Sequence, residues 1–406
     1  MGTTTRVVEA EDTIAGQAAT IEELETDQAA LTSTVAEQDV AIDALTTRVA
    51  NAEATIEELE TFADGQQALL AGVSRELDQT GRDTLRFSGM NLQVVNGIGD
   101  PAEGVDEPNG LGNLIVGFDR NRPQGEDDKS GSHNLVVGDR HNYTATGGIV
   151  AGLQNTISDD HAAALGGERN LASGRGSIVL AGWRNTASGL QSGVFGGENN
   201  EAEGERSLVL GGQANAAAGE RAAVLGGRQN IASGSFSVVA GGTDNEASGM
   251  DSSVSGGSGN TASEGSASVS GGLGNTAEGV GASVSGGEQG IASGRGASVS
   301  GGRFNEAGGW IASVPGGSGN IASGGAATVS GGNNNLAQAN GTSISAGANN
   351  IADETFASVT GGFANTASGY GSSASGGERN QAVGDYSSIL GGEEQIVSDL
   401  YGIYPQ

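Results

Sequence analysis

The chain has 406 residues, of which 74 are glycine and none is cysteine, and aromatic residues make up 4%. This composition excludes a large side-chain-filled core, a disulfide framework and a thiolate metal site. Acidic residues outnumber basic ones 49 to 18, with Lys129 the only lysine, and the resulting net charge of −31 repels nucleic acid and anionic membranes. Such a surface repels itself in dilute buffer and is screened in concentrated salt, where the Debye length falls to about 3 Å at ~1 M. The composition therefore points to a halophilic source.

The N-terminus, MGTTTRVVEAED, has no cationic segment followed by an apolar run, so it does not read as a secretory signal. No window approaches the ~18 uninterrupted apolar residues of a membrane-spanning helix. A protein of this kind working outside a cell is expected either to have lost a signal or to leave within a particle.

Residues 1–80 are predicted to be a coiled-coil shaft. From Val7 to Leu77 apolar residues recur every seven positions, with Val7, Ile14, Ile21, Ile42 and Ile56 on one seam position and Leu24, Leu31, Leu45 and Leu59 on the other. The predicted core of the coil is thus Ile14, Ile21, Leu24, Leu31, Ile42, Leu45, Ile56 and Leu59. Taken alone, β-branched residues on one seam position and leucine on the other favour a parallel dimer. Gln17, Gln28, Gln38 and Gln66 are polar layers that either set register and oligomer state or are tolerated defects. Gly65 and Gly72 weaken the helix near its end, each by about 1 kcal/mol relative to alanine.

Residues 81–150 read as an irregular shoulder with Pro101, Pro108, Pro123 and a loop EDDKSGS. Two related phrases, GNLIVG from Gly112 and HNLVVG from His133, look like strands of irregular first coils separated by an inserted loop.

Residues 151–397 repeat with a strict period of fifteen over 17 units, from Ala151-Gly152 to Gly391-Gly392, with the consensus G-G-x-x-N-x-A-x-G-x-x-[SA]-x-V-x. Two alternating runs per unit, N-x-A-x-G and [SA]-x-V-x-G, predict two short strands per coil, stacked into a β-solenoid about 80 Å tall at ~4.8 Å per coil. The inward residues are small, as in Ala172, Ser177 and Val179. Fifteen residues per turn is short for a chain enclosing its own core, so parallel chains with their Val rows on a shared axis are expected. The Asn row is expected to hydrogen-bond backbone at the turn, where Asn tolerates unusual dihedrals. Residues 398–406 read as a tail.

The pattern N-x-A-S-G-x-x-S-x-V-S-G-G resembles the head repeats of trimeric autotransporter adhesins over residues 147–397. That resemblance implies a left-handed parallel β-roll, a threefold bundle and therefore a trimeric coil. The order of parts departs from the family: the stalk here is N-terminal, and no C-terminal run has the alternation of a membrane barrel. An N-terminal shaft with a β-structured distal part is similar instead to viral tail fibres.

Chemistry in the repeats has little support. Calcium rolls place Asp where this chain has Asn or a variable residue. An ice-binding ladder would extend the column of Thr186, Thr261, Thr276 and Thr366, which Leu171, Glu201, Ile231 and Glu306 interrupt. His133, His141 and His161 form no nucleophile or paired-carboxylate pattern, so no catalysis, metal or cofactor is expected. Aromatic residues concentrate in the turn between the two strands: Phe236, Trp310, Phe356, Tyr370 and Tyr386 are the candidates for receptor contact, against the plainer reading that they wedge against a neighbouring chain. The expectation is a homotrimeric virion tail fibre, held through its N-terminus by a tail or baseplate protein, that contacts a host glycan or protein through the roll. A cell-surface or secreted adhesin and a purely structural spacer are the alternatives.

Overall fold

The structure, a computed structural model, describes residues 73–77, 81–88, 91–97, 108–123 and 127–404. The heptad seam from Val7 to Leu70, with Ile14, Ile21, Leu24, Leu31, Ile42, Leu45, Ile56 and Leu59, lies outside the described residues. The chain divides into two units, Met1–Gly148 and Ile149–Gln406.

In the first unit, β1 (Val73–Leu77) pairs antiparallel with β2 (Asp83–Phe87), Val73 opposite Phe87 and Leu77 opposite Asp83. The heptad spacing predicts helix through Val73 and Leu77, and these two residues correct it. Gly81, at φ 81°, adopts the left-handed conformation just before β2. Further on, β3 (Leu114–Gly117) and β4 (Leu135–Asp139) run parallel in register, Leu114 beside Leu135. The two related phrases are thus paired strands. Their asparagines interlock, because Asn113 Oδ1 accepts the Asn134 N–H and Asn134 Oδ1 accepts the Gly148 N–H, both at 2.8 Å.

The inserted loop between β3 and β4 closes on Lys129. Its ammonium lies 3.1 Å from Asp119 Oδ1 and also donates to the Asp119 carbonyl, while the Tyr143 hydroxyl donates to Asp119 Oδ2 at 2.9 Å. Burial first, and then the Asp119 charge, push the Tyr143 phenol far above its usual range, so it remains a donor. Arg120 pairs with Asp139 at 2.6 Å and holds that carboxyl below the usual range.

The second unit is a parallel β-solenoid. Each coil contributes two two-residue strands: Leu171–Ala172 pairs with Thr186–Ala187, and Ile178–Val179 with Gly193–Val194, one unit further along. Bridges such as Glu168↔Trp183 add a third ladder in the glycine turn. The Leu171 N–H donates to the Asn185 carbonyl at 2.8 Å and the Ile178 N–H to the Ser192 carbonyl at 2.9 Å. The ladder reaches Ile403–Tyr404, which pairs with Ser388–Ile389, so the roll extends into residues 398–404, where the sequence suggests a tail.

The Val rows correct the expected shared axis. Val179, Val194, Val209 and their successors are fully buried within the single chain, as are Ala172, Ala187 and Ala202. Short strands held by two ladders bring the Val and Ala rows close enough to exclude water without a second chain, and each buried Val contributes on the order of 2 kcal/mol.

The asparagines hydrogen-bond backbone at the glycine turn as expected, but they do so from inside the roll and without unusual dihedrals of their own. Asn170, Asn185 and Asn200 are buried inside the roll, and the left-handed dihedral belongs to the preceding residue, as at Arg169 (φ 57°) and Arg184 (φ 54°). Asn185 Nδ2 donates to the Ala181 and Gly197 carbonyls, both at 3.0 Å, and its Oδ1 accepts the Asn200 N–H at 3.0 Å. One side chain therefore ties together backbone groups of two coils, sharing the Gly197 carbonyl with the Trp183 N–H at 3.0 Å. Of each glycine pair only the second is sterically required. At Gly302, φ is +83° and an added Cβ would lie 2.1 Å from the Gly317 oxygen, whereas Gly301 has open space.

Candidate functional site

Each coil turns between its two strands through two residues that form a continuous outer edge. The turns are tied to one another along the stack: the Phe356 N–H donates to the Asn340 carbonyl at 2.9 Å, the Tyr386 N–H to the Tyr370 carbonyl at 2.7 Å and the Tyr401 N–H to the Asp385 carbonyl at 2.9 Å. Carboxylates reinforce the same turns, since Asp385 Oδ1 accepts the Tyr370 N–H at 3.0 Å and Glu354 Oε1 accepts the Thr355 N–H at 2.8 Å.

This backbone register aligns four rings. Phe356 and Tyr370 meet edge to face with centroids 5.7 Å apart, Tyr370 and Tyr386 at 5.4 Å, and Tyr386 and Tyr401 stack at 5.2 Å with planes 11° apart. Such pairs contribute about 0.5–1.5 kcal/mol each beyond the area they cover. The rings pack against each other along the stack, and all four stay partly exposed to solvent. Phe356 and Tyr401 remain 60% and 66% exposed. Desolvation first, and then Tyr370, Tyr401 and Asp385, hold the Tyr386 hydroxyl above the usual phenol range, and it shares a hydrogen bond with Tyr370.

The five sequence candidates therefore separate. Phe356, Tyr370 and Tyr386 come together. Trp310 stands apart, 61% exposed, with the Gly325–Ala326 and Asn340–Gly341 turns between it and the ladder. Phe236 is also apart, its ring covered by the Arg221 guanidinium at 5.2 Å. Tyr401, the fourth ring, escapes the sequence reading because the repeat consensus fails around it, although its spacing of fifteen from Tyr386 is the signal that could have found it. Beside Trp310, Ile311 adopts φ 48°, a left-handed conformation that is strained for a β-branched side chain.

The opposite, glycine-turn edge has a different character. Arg184 lies 4.2 Å over Trp183 and Arg303 4.6 Å over Phe304, and exposed pairs such as Arg169–Glu168 and Arg379–Glu378 line it. Exposed pairs of this kind add little stability. Among the described residues no group of three or more His, Asp or Glu side chains is placed to hold a metal ion. His133 Nε2 accepts the Asn96 N–H at 3.2 Å, buried His141 Nε2 lies 3.1 Å from the Val137 carbonyl oxygen, and His161 occupies an exposed turn. No helix among the described residues is long and apolar enough to cross a membrane. No protein-family model matches the chain, and no curated protein aligns with it.

Proposed function

We propose that this chain is the subunit of a homotrimeric attachment fibre. In this reading the N-terminal coiled coil is the shaft, held at a virion tail or baseplate, and the roll is a rigid presenter of one contact edge to a host glycan or protein. The supporting observation is the exposed ladder Phe356–Tyr370–Tyr386–Tyr401, a concentration of rings at one edge of a chain with 4% aromatic residues. Tyrosine combines an apolar ring with a donor hydroxyl, which suits recognition surfaces, and ordered side chains on a rigid scaffold lose little entropy on binding.

The test compares the wild type with Tyr370→Ala/Tyr386→Ala and Trp310→Ala variants for adsorption to whole halophilic cells and to immobilised glycans in concentrated salt. Loss of adsorption by folded Tyr370→Ala/Tyr386→Ala fibres supports the reading. Unchanged adsorption by every variant supports a spacer, a reading favoured by the mutual packing of the rings.

A further inference from the structure

One outward surface of the roll carries no charge. Alternation turns the residues on either side of each buried Val outward, giving two columns that run from Ala163 and Leu165 to Ser388 and Leu390. No Asp, Glu, Lys, Arg or His occurs at any of these positions. Every other surface of the unit is acidic in places: the opposite strand face carries Glu201, Glu203, Glu246, Glu278, Glu306 and Asp353, and the two turn edges carry Glu198 and Glu288, and Glu205 and Asp385.

The charge-free face is also divided along its length. Its first coils expose Leu165, Phe195, Leu210 and Leu225, flanked by Ile178, Leu208 and Val238. From Ser253 onward both columns become mostly serine, as in Ser268–Ser270, Ser283–Ser285 and Ser298–Ser300. An exposed row of large apolar side chains is characteristic of a contact surface.

We infer that this face is covered by the same face of further copies of the chain, running parallel and in the same axial register. The inference rests on the multi-chain fibre proposed above and names the surface that joins it. Three observations select a second copy as the occupant. Copies of a chain with net charge −31 can approach closely only where neither presents carboxylates. The strip is about 80 Å by about 10 Å, on the order of 800 Å² per chain, which is the size of a stable interface. Its apolar end finds an apolar partner only if the copies are parallel; an antiparallel copy would set Leu and Phe against serine hydroxyls.

The chain has no cysteine, which makes the test direct. Ser298→Cys places one thiol on the charge-free face and Thr276→Cys places one on the opposite strand face. The full chain is oxidised in concentrated salt, and its mass is measured in parallel by sedimentation. Parallel, in-register faces bring Ser298→Cys thiols within disulfide reach, so a band at twice the chain mass forms, while Thr276→Cys stays at the chain mass. If the particle is multi-chain but Ser298→Cys stays unlinked, or if both variants link equally, the assigned face is wrong and the fibre reading stands. A single-chain mass overturns both. Ser283→Glu/Ser298→Glu is the complementary variant: its roll keeps its circular dichroism and its association weakens.

Discussion

Asn275 Oδ1 accepts the Gly290 N–H at 2.8 Å, and there the internal amide ladder is interrupted, because Gly290 has no side chain to offer Asn305. The coils on either side keep the full pattern, as between Asn260 and Asn275 (2.9 Å) and between Asn305 and Asn320 (3.0 Å). Gly290→Asn should restore the ladder and stabilise the roll by about 1 kcal/mol. An added Cβ would approach Asn275 Oδ1 at 3.1 Å and Val299 at 3.2 Å, spacing that the Asn-bearing coils accommodate at the same position. The measurement is the urea midpoint, and a lower midpoint would contradict the role given to the Asn row.

Two glycines seven residues apart should behave oppositely. A Cβ on Gly294 would lie 1.9 Å from the Gly309 carbonyl oxygen of the next coil, whereas one on Gly301 meets nothing within 4 Å. Gly294→Ala is expected to destabilise by about 1–3 kcal/mol, in the range of overpacked cores, and Gly301→Ala to be nearly neutral. Amide exchange of the flanking coils distinguishes local opening from global loss, since coils interact chiefly with their neighbours.

The period, the two strands per coil and the inward Ala and Val were legible because alternation and strict spacing follow directly from backbone geometry. What covers the Val row was not, since a buried row has the same sequence whether its own chain or another chain encloses it. Fully buried Val179 and Val284 answer that question, and they direct attention to the outward residues beside them. The strand at Val73–Leu77 was hidden for a related reason: a Val and a Leu four apart fit a heptad and a short strand equally well. At the candidate site Phe356, Tyr370 and Tyr386 could be aligned from spacing alone, but their mutual packing depends on side-chain direction, which spacing does not specify.

Ile311 offers a test of stored strain. Its φ of 48° disfavours a β-branched residue by about 1–2 kcal/mol. Ile311→Gly should therefore raise the unfolding midpoint, and if the Trp310 turn takes part in attachment the same variant should adsorb less. A fall in the midpoint would mean that contacts of the isoleucine outweigh its strain.

Stability should respond to pH with a defined sign. Burial, followed by the neighbouring Glu203, holds the Glu201 carboxyl above the ordinary range, and burial with the Glu354 charge does the same for Asp353. A raised folded pKa gives a contribution that is complete below the unfolded value, about 4, and is lost as pH rises through the folded value. Glu201→Gln should thus unfold at higher urea than wild type at neutral pH and at the same urea in acid. Asp139, lowered by Arg120, acts in the other direction, and its contribution is lost as pH falls.

The acidic surface predicts that unfolding midpoints rise as salt screens a net charge of −31. A midpoint that stays flat between dilute buffer and ~1 M salt would contradict a high-salt adaptation.

The central claim is that the protein works as a fibre of three chains, and sedimentation equilibrium of the full chain in ~1 M salt tests it most directly. The predicted result is a single species of three times the chain mass; a species of one chain mass would contradict the account.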